Sequence, residues 1–585
     1  MIYTLLLFVA TFITSGCLTQ HPIAQWRRET IQDVEVLLEH KQYARVVTIL
    51  PSLKVEPRQK ERIFRAVRRG MKEEYEVAGK KGQHTRKYVY GKNLLLLHEP
   101  VDPPVSEKKL LRNIIFEEDI ADRKISVALA QLAHIDLNIF STKDLLALLT
   151  WAKEYHTWDI YQTIIDTLMK RKVKKKQIIT SKQAIDFSHL FDGMLTILVD
   201  RGTTIDQGVG RRIITGGSGF FIQADGYFLT NYHVIESVTN DNTASHLSVL
   251  FSDGKEEKNV HVVSYDPILD IALLKVDKTT NNFFAFAYRP PRVAESVFAL
   301  GSPGFLKNTL TAGIVSVNNR TFFSQIGGEL QFDASVNPGN SGGPLITSAG
   351  SVIGINYMKR GEGVGFAIPS HWISLLLPRL FFTKGEITHL WIGVGAHKTD
   401  LGLEVRYVAP GTAAAYAGLR VLDTIVALNG YPVQGIQSVH EFLFKLSKDS
   451  LFEIQYLRKG VKHTYILSAF SRPESPTIDG LRYTGIENFF PLFFGILLEK
   501  RDKGFRVKDI ISKEDRFLTN DANFFYTVES PLLQEMEKGD IFRILDWNVN
   551  RELQLITIRL KFILSAQKIK KTALYRVYYD SGHYM

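Results

Sequence analysis

The chain has 585 residues, 45% of them hydrophobic and 23% charged, with a formal net charge of +11. Those fractions exclude a disordered chain and a multi-span membrane protein, and the length calls for about three or four domains. Roughly +10 of the charge falls in residues 18–185, yet no RNA- or DNA-binding signature accompanies it, so no nucleic-acid partner is expected. Cys17 stands alone as the one cysteine, which excludes an intrachain disulfide.

The N-terminus carries an apolar run, Ile2 to Ile13, too short to span a bilayer as a helix. With the small residues Thr14-Ser15-Gly16 and then Cys17, it resembles a bacterial lipoprotein signal over residues 1–16. That resemblance implies export, lipidation (palmitate included) of Cys17, and a lipid anchor on the periplasmic side of a membrane. Leu18 is not the Asp that commonly retains lipoproteins at the inner membrane, so outer-membrane sorting stays open. An ordinary cleaved signal is the alternative, since no Lys or Arg precedes the run.

Residues 20–185 read as an α-helical domain. Trp26 to His40, Leu145 to Trp151 and Tyr161 to Met169 repeat apolar positions at helical spacing, as helical-repeat arrays do, but without a clean period. Residues 99–106, rich in proline, break the pattern. The basic run from Lys170 to Lys176 suits anionic lipid headgroups or a solvated helix end.

From about Leu195, alternating apolar residues and Gly-bounded turns predict many short strands. Gly217 to Ile222, the turn Ala224-Asp225-Gly226 and Tyr227 to Thr230 form a hairpin signal. Asn337-Pro-Gly-Asn-Ser-Gly-Gly-Pro344 then presents Ser341 on a glycine-framed turn, where bare backbone admits a substrate and the amides of Gly339, Asn340 and Ser341 converge on one point.

A serine hydroxyl is nearly inert at neutral pH without an imidazole to take its proton and a carboxylate to orient that imidazole. His233 and Asp270 are the candidates, and the order His, Asp, Ser over about a hundred residues is that of chymotrypsin-like double β-barrels. Thr-Asn-Tyr-His-Val-Ile at 230–235, Leu-Asp-Ile-Ala-Leu at 269–273, Asp333 to Leu345 and Val-Gly-Phe-Ala-Ile-Pro-Ser at 364–370 together resemble the HtrA/DegP family of serine proteases. The resemblance implies an all-β chymotrypsin-like protease over 186–385 with Ser341 as nucleophile, His233 as general base and Asp270 as its orienting acid. It also implies an oxyanion hole at Gly339, Asn340 and Ser341, and neither metal nor cofactor. Digestive relatives carry Asp before the serine; Asn340 here implies control by loop switching, for which 319–329 and 357–363 are the candidates. The strand Val352 to Asn356 offers no carboxylate, which favours cleavage after small or medium apolar residues.

Residues 388–470 resemble a PDZ domain, with Trp391-Ile392-Gly393-Val394 as its carboxylate-binding loop for peptide C-termini. The tail, 476–585, reads as a divergent PDZ-like module: Lys538 to Asp546 echoes the first one, and a helix near 553–562 and a strand near 573–579 are expected. Phe489 to Phe494 is expected to be core.

The family likeness implies an ATP-independent endopeptidase that degrades misfolded envelope proteins and works as a trimer or larger homo-oligomer, with Phe187 and Phe191 serving either the trimer contact or the core. The alternative is a catalytically idle scaffold or holdase chaperone that binds partners through its helical and PDZ domains.

Overall fold

The computed structural model describes residues 29–101, 112–119, 124–132, 134–155, 157–173, 187–206, 209–239, 245–287, 289–302, 309–320, 326–359, 363–473, 475–502, 504–511, 537–550, 555–563 and 570–578. The signal, Cys17, most of the 99–106 loop and Lys174 to Lys176 lie outside them. The described chain falls into two compact units: Met1–Val67, Trp391–Ile436 and Leu451–Met585 form one, and Arg68–Leu390 with Gln437–Ser450 form the other.

In the second unit, helices form where capping and apolar periodicity agree. Thr142–Glu154 starts at a capping box, in which Asp144 N donates to Ser141 Oγ and Ser141 N donates back to Asp144 Oδ2, both at 3.1 Å. Arg112 also grips Asp144 with two hydrogen bonds of 2.9 and 3.0 Å, and they hold its carboxyl below the usual range. Leu145, Leu148, Leu149, Ile160, Ile164 and Leu168 from this helix and Trp158–Lys170 share one buried core.

From Met194 to Glu386 this unit is built mainly of strands, in two sheets. Its first sheet is built from β1 (Met194–Asp206), β2 (Val209–Phe221), β3 (Tyr227–Thr230), β4 (His246–Phe251), β5 (Glu256–Glu257), β6 (Val260–Asp266) and β7 (Ile271–Val276). A closed six-stranded barrel follows, made of β8 (Ser296–Gly301), β9 (Thr309–Arg320), β10 (Glu329–Phe332), β11 (Pro344–Thr347), β12 (Val352–Lys359) and β13 (Gly365–Pro369). After the helix Ser370–Phe382, a short strand β14 (Gly385–Glu386) returns to the first sheet and pairs parallel with β6. Phe220, Leu229, Ile271, Leu273, Leu300, Ile346 and Ile355 alternate inward to fill the space between the sheets. Phe191 packs half-buried against that core; the Phe187 side chain lies outside the described residues.

In the first unit, a six-stranded antiparallel sheet takes Val394–Thr399, Gly402–Val408, Thr424–Leu428, Leu451–Arg458 and Val461–Ser468 in that order, with the short strand Tyr431–Pro432 pairing with Thr424–Leu428 off this path. The sequence pattern of one helical domain over 20–185 is not kept as one body. Its first helices, Ile31–Glu39 and Tyr43–Ile49, belong to this unit. The reason is a polar hook set among apolar residues. Fully buried Thr48 accepts a 2.7 Å bond from Ser468 N, Arg45 lies 4.6 Å over the Phe470 ring, and Glu29 N donates to Tyr416 Oη. Residues at i, i+3 and i+4 announce a helix but not which sheet it will cover.

The tail forms a further antiparallel sheet of five consecutive strands, Ile496–Arg501, Gly504–Ile510, Ile541–Asn550, Leu555–Ile563 and Lys570–Tyr578. The helix expected near 553–562 is a strand instead. Ile556, Ile558 and Leu560 are fully buried while Arg559 and Lys561, which alternate with them, are exposed, a period of two in a β-branched run. Four residues, 551–554, lie between the third and fourth strands, where the first module has residues 429–450 with the helix Ile436–Phe444. The Phe489 to Phe494 cluster is core: Phe489 stacks on Tyr407 at 4.1 Å and Phe490 on Phe542 at 5.3 Å.

Candidate active site

Sheet register brings His233 and Asp270 together. β3 pairs antiparallel with β7, Thr230 opposite Ala272, so the residues just after β3 meet those just before β7. Asn231 then leads into a helix, Tyr232–Thr239, which places His233 in its first turn. Asp270 ends the β6–β7 turn at φ +56°, a left-handed conformation uncommon for a non-glycine residue. Three hydrogen bonds fix it there. Asn231 Nδ2 donates to its carbonyl at 2.8 Å, His233 N donates to Oδ1 at 2.8 Å, and His233 Nδ1 meets Oδ2 at 2.7 Å. With a carboxylate as partner, Nδ1 carries the proton and Nε2 keeps its lone pair. Burial pulls the imidazole pKa down, but the hydrogen bond and charge of Asp270 outweigh it and hold His233 above its ordinary value.

Ser341 sits on the loop between β10 and β11. Two short bonds shape this loop: Asn340 N to Asn337 O and Gly343 N to Asn340 O, both 3.0 Å. Gly339 at φ +104° and Gly342 at φ +84° make the turns that side chains resist. A Cβ on Gly342 would lie 2.2 Å from both Ser218 O and Thr230 Oγ1, so the glycine lets the loop press against the end of β3 beside His233.

Ser218 of β2 ties the loop down. Its amide donates to Ser341 O and its hydroxyl to Gly339 O, both at 2.7 Å. With those carbonyls turned inward, the amides of Gly339 and Ser341 donate to no acceptor among the described residues. Asn340 is 1% exposed; as a neutral amide it needs no buried counter-ion, unlike a carboxylate. The Ser341 hydroxyl donates to Tyr357 O at 3.3 Å and makes no hydrogen bond with His233. Imidazole and carboxylate are thus engaged, and the serine is parked beside them.

Three neighbours of this site had no individual role assigned from the sequence, although Glu329 and Tyr357 end the two candidate switch loops. Ser218 lay in view between Gly217 and Gly219 but carried no motif of its own. Tyr357 contributes a carbonyl, which no side-chain pattern marks. Glu329, 2% exposed, lies beside the Tyr357 phenol, and burial followed by the Glu329 charge pushes that phenol up. The wall strand 352–356 has no carboxylate, but one is buried next to its continuation. Of the expected switch loops, residues 321–325 and 360–362 lie outside the described residues. At the described end of the first, Asn319 and Gln437 exchange amide hydrogen bonds of 2.7 and 2.8 Å, and Gly327 N meets His440 Nδ1 at 3.4 Å.

The sequence-predicted carboxylate loop is buried: Trp391 3%, Ile392 1% and Val394 0% exposed. Its carbonyls are pinned, Ile392 O by Ala414 N and Gly393 O by Ala409 N, both at 2.8 Å. Gly393, at φ +91°, packs where a Cβ would lie 2.2 Å from Thr412 Oγ1.

The model of a trypsin-like peptidase domain matches residues 217–355, and that of a PDZ domain matches 391–467. The serine protease Do-like HtrA of Bacillus subtilis is 33% identical over 322 residues, covering 49% of this chain and 68% of that protein. The serine endoprotease DegS of Salmonella typhimurium is 30% identical over 288 residues, covering 45% of this chain and 79% of that protein. The chain belongs to the HtrA family of serine proteases. A probable periplasmic serine endoprotease DegP-like of Chlamydia trachomatis is 29% identical over 290 residues, or 46% of this chain and 57% of that protein. The HtrA chain described here therefore spans little more than half the length of such curated relatives, and its helical segment before residue 190 is additional to the two matched family models.

Proposed function

We propose that this HtrA-family chain is an exported, ATP-independent serine endopeptidase that degrades misfolded envelope proteins, cleaving after small or medium apolar residues. Its PDZ domain captures peptide C-termini at Trp391 to Val394, Cys17 carries a lipid anchor, and the working form is a homo-oligomer. The observation that carries the reading is the Asp270–His233 pair, made at 2.7 Å beside a loop whose Gly339 and Ser341 amides are unspent. The word periplasmic in the names of relatives supports the location.

The reaction follows from these groups. Asp270 keeps the proton on His233 Nδ1, so Nε2 accepts the Ser341 hydroxyl proton as Oγ bonds to the scissile carbonyl carbon. Charge that gathers on the carbonyl oxygen meets the Gly339 and Ser341 N–H groups. Collapse breaks the C–N bond, the leaving amine takes the proton from Nε2, and an acyl-Ser341 ester remains. Water, deprotonated by Nε2, then releases the acid and restores the hydroxyl. Before any of this, Ser341 must give up its bond to Tyr357 O, a rotation of its side chain. The contacts of loop 319–329 with Gln437 and His440 support control of that step through the loop.

A catalytically idle holdase is the competing reading, and unfolded casein separates the two. The wild-type chain is expected to release acid-soluble peptides from it. Casein recovered at full length with its aggregation suppressed would overturn the peptidase reading.

A further inference from the structure

The turn that presents Asp270 is anchored by a buried pair formed with the segment just before the PDZ domain. His389 Nε2 donates to Asp266 Oδ2 at 2.6 Å across 123 residues of sequence, with side-chain exposures of 2% and 0%. The other carboxylate oxygen, Oδ1, accepts Ile268 N at 2.9 Å and Leu269 N at 3.0 Å. Those bonds close the turn, and the next residue is Asp270 in its left-handed conformation. A strained backbone of this kind persists only where its surroundings over-determine it.

His389 is itself held in register. β14 lies parallel to β6, with Gly385 beside Ser264 and Glu386 beside Tyr265, and Ile387 N donates to Tyr265 O at 2.8 Å. On its other side, the imidazole meets the ring of Phe444 edge-on, centroids 5.1 Å apart. Phe444 closes the helix Ile436–Phe444, whose last carbonyls are capped by half-buried Arg379. Arg379 is also near enough to feel the Asp266 charge.

We propose that His389 is a positioning residue for Asp270, acting through Asp266, and that the 385–389 segment and Phe444 thereby set the geometry of the Asp270–His233 pair. The proposal rests on the reading of Asp270 as the orienting acid. Neither His389 nor Asp266 touches the reacting atoms. Withdrawal of the segment would free the Asp266 carboxylate, relax the turn and loosen the grip on His233 Nδ1. Control would then reach the carboxylate end of the site, independently of the serine loop.

The test compares the full-length wild type with His389→Leu, which fills the space without an N–H, and His389→Gln, which restores one at similar reach. Two readouts are taken: steady-state hydrolysis of unfolded casein, and the titration of His233 followed by NMR of 13Cε1-labelled histidine, which needs no turnover. For His389→Leu, kcat is expected to fall on the order of 10- to 100-fold with KM little changed. His233 is expected to titrate about one pH unit lower, since Asp270 is what holds it up. His389→Gln should recover most of both. A His389→Leu protein with wild-type kcat and wild-type His233 titration overturns the proposal. If His389→Leu does not fold, His389→Gln against the shorter His389→Asn carries the comparison, and identical His233 titrations in those two overturn it. If the wild type hydrolyses nothing, the peptidase reading fails, while the NMR titration still decides the positioning role.

Discussion

Replacing Ser341 with alanine is expected to lower kcat on unfolded casein on the order of 10⁶-fold, with KM within about twofold. The substitution removes one oxygen, whose bond in the resting chain is to Tyr357 O. Every contact that holds a substrate stays, and so do the loop bonds through Ser218, so binding persists while the covalent route closes. The melting temperature is expected to stay within about two degrees, because the one bond lost is a long 3.3 Å contact at a part-buried position. Residual hydrolysis would come from water attacking a carbonyl already polarised by the Gly339 and Ser341 amides. A Ser341→Ala chain that cleaves at the wild-type rate would place the chemistry elsewhere.

Asp270→Asn is expected to cost about 10⁴-fold in kcat while the fold stays intact. The amide oxygen can still accept from His233 N, but the NH₂ group then faces Nδ1. Nδ1 becomes the acceptor, the ring proton moves to Nε2, and the base is lost on the side that needs it. The pH profile supplies a second readout. His233 must be neutral to act, so activity falls as pH drops through its pKa, which Asp270 holds above the ordinary value. Without the carboxylate that pKa falls, so the acid limb of kcat/KM moves to lower pH even as the plateau collapses. An acid limb that stays in place would mean that Asp270 does not support the imidazole.

Most of the candidate site could be read from the sequence because its residues lie in segments that also determine their own local geometry. The glycines that frame Ser341 are demanded by positive φ and close approach, and the buried apolar runs in 227–230 and 271–276 mark the paired strands whose register joins His233 to Asp270. What the sequence hid depends on distant partners. Asp266 before Pro267 reads as a turn opener, and nothing in its neighbourhood points to His389. Thr48 looks like an ordinary mid-helix threonine until Ser468 arrives to donate to it. Glu329 opens a strand in sequence and is a buried carboxylate beside Tyr357 in the fold. The tail misled for a local reason. Leu555 to Ile563 mixes long helix-forming side chains with β-branched ones, and the period of two prevailed because a sheet was there to bury Ile556, Ile558 and Leu560.

The central claim is that one serine, Ser341, is activated by His233. Treatment with diisopropyl fluorophosphate followed by peptide mass mapping tests it most directly. One phosphoryl adduct per chain is predicted, confined to the peptide that carries Ser341, with a rate that falls as pH drops through the His233 pKa and is largely lost in His233→Ala. No adduct, or an adduct on another residue formed equally fast in His233→Ala, would contradict the account.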